Sequence, residues 1–498
     1  MSGSDADLAA LARGGRTNLV GFVLRLAGRI PFLFIAGRIY GPEALGRLAY
    51  AILVVEFAAQ LATLGLKRGL ALQLTDDARD PGHNVWDAML LVLIVGAALT
   101  ALLIAVPQMM FPNSTINGFD RLLPLVIFAF AGTDIMLAAL AYRFNVAATV
   151  TARAIVEPWT ISIAALVLSW YSLRDGLLLA YVASVLAAFV AALIPFVRSY
   201  QWPHAWRPRA AALVPLVRRN LPLAAADAIE WGSRRIDLAI LGLFVSPATV
   251  GVYYVAQQLA SLPQKLKTSF DPVLGPVITR NLEAGNKPAI ASAISQVGFW
   301  ILAAQAGIAL ALGIPGAAIM GLIGKAGVFV GGNGALAFLL LAEVLAATVV
   351  VSESALVYIA RHRNMMISLG ALALQAGLSF LFIMAMRERG WPELWQAAGP
   401  AAALALSLGV SASIKSRLAA RLLGGPVSLW RWPLLFAGAA AAAVGGIATA
   451  TPEWSELIIG VPAMLLLYSA LIWRFGFKPE DRRLFAKTGL SAESAASP

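Results

Sequence analysis

Residues 25–51 read "RLAGRIPFLFIAGRIYGPEALGRLAYA", and the reading of this stretch decides the fold. Most of it is apolar enough for lipid, yet Arg25, Arg29, Arg38 and Arg47 interrupt it, and Gly41-Pro42 punctuates its middle as a turn would. Arg25 and Arg29 are four residues apart, so on a helix they stack on one face. A permanent charge inside a membrane helix is costly, and such residues face a water-filled cavity, a partner or a ligand.

Composition supports the membrane reading. The chain is 60% hydrophobic and 13% charged, with mean hydropathy +0.78 over 498 residues, whereas soluble domains carry roughly 25% charged residues. The net charge of +12 is scattered between apolar runs. A nucleic-acid binder would gather it on one face or arm, so the basic residues read as topology signals and no nucleic-acid partner is expected. Cysteine is absent, which removes disulfides and thiolate metal sites. The N-terminus places acidic residues ahead of basic ones, so no cleavable signal is expected there.

A span needs roughly 20 mostly apolar residues. Fourteen such runs are present: 18–40, 44–66, 86–110, 122–146, 149–171, 175–197, 221–245, 248–272, 290–312, 333–358, 364–386, 395–415, 431–450 and 455–475. Alternating the loops puts 27 of the 38 basic residues on one side and 7 on the other, with Arg25, Arg29, Arg234 and Arg235 inside spans. Basic loops are cytoplasmic, so both termini are predicted in the cytoplasm of a bacterial inner membrane. The expected organisation is an N-lobe of six helices (1–198), an amphipathic cytoplasmic linker (199–220), a C-lobe of six helices (221–421), then two further helices and a cytoplasmic tail (422–498).

Sliding the chain by 205 positions lays "GRIPFLFIAGRIYGPEALGRLAYA" over "SRRIDLAILGLFVSPATVGVYYVA". Identities fall at Arg29/Arg234, Gly37/Gly242, Pro42/Pro247, Gly46/Gly251 and Ala51/Ala256. Six helices separate the copies, so the repeats are parallel, as in transporters built from two lobes.

The same residues carry a family resemblance. Arg38, Gly41-Pro42-Glu43, Gly46 and Leu64-Gly65-Leu66, followed in the second half by Asp237 and Gly251-Val252-Tyr253, resemble the bacterial polysaccharide-unit flippases of the multidrug/oligosaccharidyl-lipid/polysaccharide exporter superfamily. The resemblance implies an all-α integral membrane fold of 14 transmembrane helices, two pseudo-symmetric six-helix lobes around a central cavity plus two C-terminal helices. It implies alternating access and an undecaprenyl-pyrophosphate-linked glycan as cargo, moved to the periplasmic leaflet for O-antigen or exopolysaccharide assembly. Membrane lipids and a polysaccharide polymerase or ligase are the other partners implied, with a monomeric chain and no cofactor.

Within that frame Arg25, Arg29, Arg234 and Arg235 are the candidates for the pyrophosphate, since guanidinium groups bind phosphate bidentately at any pH. Glu56 or Asp134 would have to serve if Arg25 and Arg29 were instead ion-paired. Asp134, Glu230, Asp237 and Glu343 either carry a coupling ion or act as structural partners, with Asp237 beside Arg234 the favoured pair. Trp231 and Trp300 lie deep in spans, where they fill space or offer an aromatic surface to a sugar. No phosphate-binding Gly-x-x-x-x-Gly-Lys-Ser/Thr loop occurs. The alternatives are a lipid II flippase, then a drug or ion exporter or a membrane glycan polymerase. The Ser-Arg and Gly-Phe-x-Arg-Asp pattern of the lipid II branch is replaced here by "GRIPFLF", and no nucleophile–base set is spaced for catalysis. Arg47, near the end of span two, is expected to tolerate substitution.

Overall fold

A computed structural model describes residues 24–25, 27–74, 81–200, 206–207, 210–262, 271–325 and 327–482. The basic residues Arg13, Arg16, Arg79, Lys265, Lys267 and Lys487, and the end of the expected eighth span, lie outside them. All regular structure among the described residues is helical. The first half comprises α1 (27–40), α2 (Gly41–Ala62), α3 (Leu66–Leu74), α4 (Pro81–Ala105), α5 (Gly118–Tyr142), α6 (Val146–Leu168), α7 (Gly176–Ser199), α8 (Ala210–Ser233), α9 (Ile236–Phe244) and α10 (Pro247–Ala260). Then come α11 (Asp271–Glu283), α12 (Lys287–Gly313), α13 (Gly316–Ile323), α14 (Asn333–Ile359), α15 (Arg361–Glu388), α16 (Glu393–Leu423), α17 (Trp432–Ala448) and α18 (Glu453–Gly476).

Among the described residues ten helical stretches are long and apolar enough to cross a membrane. The first, Ala27–Ala71, covers the two expected opening spans, and Trp432–Ala448 is apolar but shorter. Spans seven and eight are not in that set: the end of span eight lies outside the described residues, and span seven is interrupted. α8 runs unbroken from Ala210 to Ser233, so 210–220 belongs to the same helix as 221–233. The helix then breaks at Arg234–Arg235 before α9 begins. Discontinuous helices of this kind occur where backbone lines a cavity or is buried in protein.

By contacts the chain forms two compact units. One comprises residues 1–255 with 322–329, and the other 256–321 with 330–498. In the first, Gly41 at φ +84° separates the π-helical end of α1 (Ala36–Tyr40) from α2, with Pro42 in the first turn of α2. Pro there sets φ and loses no helical hydrogen bond. Gly46 and Gly251 then meet reciprocally. A Cβ on Gly46 would lie 1.7 Å from the Pro247 carbonyl oxygen, and one on Gly251 2.0 Å from that of Pro42. Prolines and glycines matched by the 205-residue repeat therefore cross backbone against backbone, which only small residues permit. Asn113 donates to the Gly242 and Val245 carbonyls at 3.0 and 2.9 Å, satisfying the end of α9.

In the second unit, α12, α14 and α16 surround an apolar core containing Phe299, Leu302, Val351 and Leu356, onto which α17 and α18 add Ala437, Met464 and Tyr468. The Tyr468 hydroxyl donates to the Ala303 carbonyl at 2.7 Å, as a buried phenol in a membrane bundle must.

Candidate functional site

The site is built in the first unit, and α1 sets its height. Gly28 packs on α6, where a Cβ would approach Pro158 and Trp159 to 3.0–3.2 Å, and the Ser162 hydroxyl donates to the Gly28 carbonyl at 2.6 Å. Arg25 and Arg29 flank this anchor. Arg25 is half-buried, and its Nε has no hydrogen-bond partner among the described residues. It lies in electrostatic range of Arg29, Arg153 and Glu157. Arg29 is exposed and forms no ion pair among the described residues.

Both acids that could have neutralised these arginines are engaged elsewhere. Glu56 accepts from Arg235 at 2.6 Å. Asp134 is buried and paired with Lys67 at 3.2 Å and with Arg153, which also binds Glu157 at 2.7 Å. Arg153 lies in a π-helical stretch of α6, Val150–Val156. Asp134 thus has a basic partner on each carboxylate oxygen.

Arg234 and Arg235 occupy the break between α8 and α9 and take different partners. Arg234 is two-thirds exposed and only 3.5 Å from Glu230. Arg235 is held by Glu56 and lies over the Trp231 ring, 4.7 Å from its centroid, while Trp231 stacks on Phe57 at 5.1 Å. Arg68 binds Asp227 at 3.1 Å and Glu230 at 2.6 Å. The expected Arg234–Asp237 pair is therefore replaced. Asp237 lies buried in the first turn of α9 and accepts from the Tyr253 hydroxyl at 2.5 Å, whereas Glu230 is one helical turn before Arg234.

Two tyrosines lie in electrostatic range of several of these groups. Tyr254 is in electrostatic range of Arg29, Glu56 and Arg235. Tyr181 neighbours Glu56, Glu157, Arg153 and Arg235, and its buried hydroxyl has no partner among the described residues.

Two other candidates belong to the second unit. Trp300 is half-buried in the second unit and donates its indole N–H to Asp481 at 3.0 Å, beside Arg431. Glu343 is half-buried on α14 of the same unit. Arg47 contradicts the expectation of tolerance. It is buried, and its Nη2 meets both oxygens of the fully buried Asp120 at 2.9 and 3.1 Å. No group of three or more His, Asp or Glu side chains that could hold a metal occurs among the described residues.

Residues 35–303 match the polysaccharide biosynthesis protein family. The chain belongs to that family. A search of curated proteins found no match. Among solved structures, the fold is similar to "Lipid II flippase MurJ, inward closed conformation" (TM-score 0.68, 12% identity, 92% of this chain and 98% of that one). It is also similar to an inward-facing multidrug resistance MATE family transporter of the MOP superfamily (TM-score 0.62, 15% identity, 80% and 94%). A third is a MOP superfamily transporter from Pyrococcus furiosus, titled for the reverse polarity of its binding pocket (TM-score 0.55, 14% identity, 83% and 95%).

For this member of the polysaccharide biosynthesis family, sequence reading missed Phe57, Tyr181, Tyr254, Arg153 and Glu157 as parts of the locus. Arg153 and Glu157 carried a signal in their i,i+4 spacing within an apolar run. Tyr181 and Tyr254 carried none, because an aromatic in a span reads as packing.

Proposed function

We propose that the chain is a flippase that carries a polyprenyl-pyrophosphate-linked oligosaccharide from the cytoplasmic to the periplasmic leaflet by alternating access, for surface polysaccharide assembly. One observation carries the reading: Arg29 has no acidic partner among the described residues, because Glu56 and Asp134 are committed to Arg235, Lys67 and Arg153. A central membrane arginine costs roughly 2.5–3.5 kcal/mol on insertion scales, so retaining one without an internal counterion favours an anionic ligand. Arg25 supplies a second guanidinium one turn away, and Arg234 a third with only a 3.5 Å contact to give up. Pyrophosphate is the anion these forks suit, and membership of a polysaccharide biosynthesis family supports the glycan it carries.

The reading extends to two six-helix lobes with two added helices, both termini in the cytoplasm and placement in the inner membrane. The loop charge asymmetry and the reciprocal Gly46/Gly251 crossing support it. Cells lacking the protein should accumulate one complete undecaprenyl-linked repeat unit, identifiable by mass spectrometry of extracted lipid-linked glycans. Accumulation of lipid II instead would assign the peptidoglycan precursor as cargo. Normal glycan pools together with normal surface polysaccharide would refute the reading.

A further inference from the structure

Arg235 is a guanidinium beside the cargo site that is already in use. Its side chain is 37% exposed, but Glu56, only 16% exposed, holds it at 2.6 Å, and Trp231 lies beneath it. Glu56 and its neighbour Phe57 both belong to α2, and both engage α8 and the break that follows it: Glu56 takes Arg235 and Phe57 takes Trp231. Tyr254 lies in electrostatic range of Arg29, Glu56 and Arg235.

We propose that Glu56 is an internal competitor for Arg235, which makes the site select headgroups with two linked phosphoryl groups over those with one. The inference rests on the reading that Arg25 and Arg29 receive a phosphate-bearing lipid. A single phosphoryl group is satisfied by the unpaired Arg29 and its neighbour Arg25. It offers Arg235 no more than the carboxylate it already has, and taking Arg235 would strand Glu56 in a poorly solvated position. A pyrophosphate has a second phosphoryl group to present while the first stays on Arg29, and its greater charge draws Arg235 away. The abundant single-phosphate lipids of the bilayer are thereby kept from completing the site, which is specificity obtained by penalising the wrong ligand. When the cargo leaves, Glu56 recovers Arg235 and the contact between α2 and the α8–α9 break re-forms.

The test uses the full-length protein in nanodiscs, with binding of undecaprenyl pyrophosphate and undecaprenyl monophosphate measured separately. The wild-type protein should prefer the pyrophosphate by about tenfold or more, as expected when one charged contact is made by only one of two ligands. Glu56→Gln, close in shape, should shrink that preference to about threefold or less by strengthening the monophosphate. Glu56→Asp should keep the preference, which separates charge from packing. Arg235→Gln should weaken the pyrophosphate and leave the monophosphate unchanged. An unchanged preference in Glu56→Gln, or a loss there confined to pyrophosphate, would overturn the proposal, as would Arg235→Gln binding pyrophosphate like wild type. Arg29→Gln tests the underlying reading separately: it should weaken both lipids, and failure to weaken either refutes the phosphate site itself.

Discussion

Arg29 and Arg47 are both arginines in an apolar stretch, and the difference between them lies in what surrounds each guanidinium. Arg47 is buried against a carboxylate with no exposure of its own. Removing one partner of a buried pair costs about 3–5 kcal/mol because the other charge is left uncompensated. Arg47→Ala should therefore lower the thermal unfolding temperature sharply and reduce the amount of folded protein, with Arg174, 3.7 Å from Asp120, giving only partial relief. Arg29→Gln removes no internal pair and should leave the unfolding free energy within about 0.5 kcal/mol of wild type, as for other exposed positions, while abolishing transport. The sequence offered no partner for Arg47 and so led to the expectation that it tolerates substitution. Asp120 is 73 residues from Arg47, brought there by the Asn117–Asp120 capping box at the start of α5. The same limit applies to Asp237, since helical spacing alone does not show that it accepts from Tyr253.

Two features decide behaviour at the scale of elements. The crossing of α2 with α10 depends on Gly46 and Gly251, because any Cβ at either position enters the opposing backbone carbonyl. Gly46→Ala and Gly251→Ala should each abolish transport and lower thermal stability. Gly438→Ala in α17, with no atom within 4 Å of the added carbon, should be neutral or stabilising by about 0.5–1 kcal/mol. The second feature is the segment after α18. Burial alone would raise the Asp481 carboxyl, but hydrogen bonds from Arg431, the Lys478 amide and Gln296 outweigh it and hold it below the ordinary carboxylate range. A carboxyl depressed in this way stabilises fully above the usual value near 4. The contribution is lost as pH falls through the lower folded value. Relative to the intrinsic exchange rate at each pH, the protection of amides within 478–482 should therefore fall on acidification below about pH 4, and Asp481→Asn should show the same loss of protection at neutral pH. The repeat at 205 residues matched Gly46 with Gly251 in the sequence, and the crossing itself came from the fold. The tail anchor was not legible, because Trp300 and Asp481 are 181 positions apart.

For the whole molecule, the membrane class and the all-helical structure of the described residues followed from hydropathy. The break in span seven did not follow, since an unbroken apolar pattern with Arg234 and Arg235 inside it is compatible with a continuous helix. The internal ion pairs were also hidden, because Lys67 and Arg153 at span ends look the same whether they meet water or Asp134. These pairs isolate the unneutralised charge on α1, on which the transport reading depends. The measurement that tests it most directly is made in cells whose only copy of the protein carries Arg29→Gln, with protein level and thermal stability checked beside wild type. Lipid-linked glycans extracted from these cells should show one complete undecaprenyl-pyrophosphate-linked unit accumulating, and surface polysaccharide should be lost while the protein stays folded. A normal lipid-linked pool and normal surface polysaccharide in the same cells would contradict it.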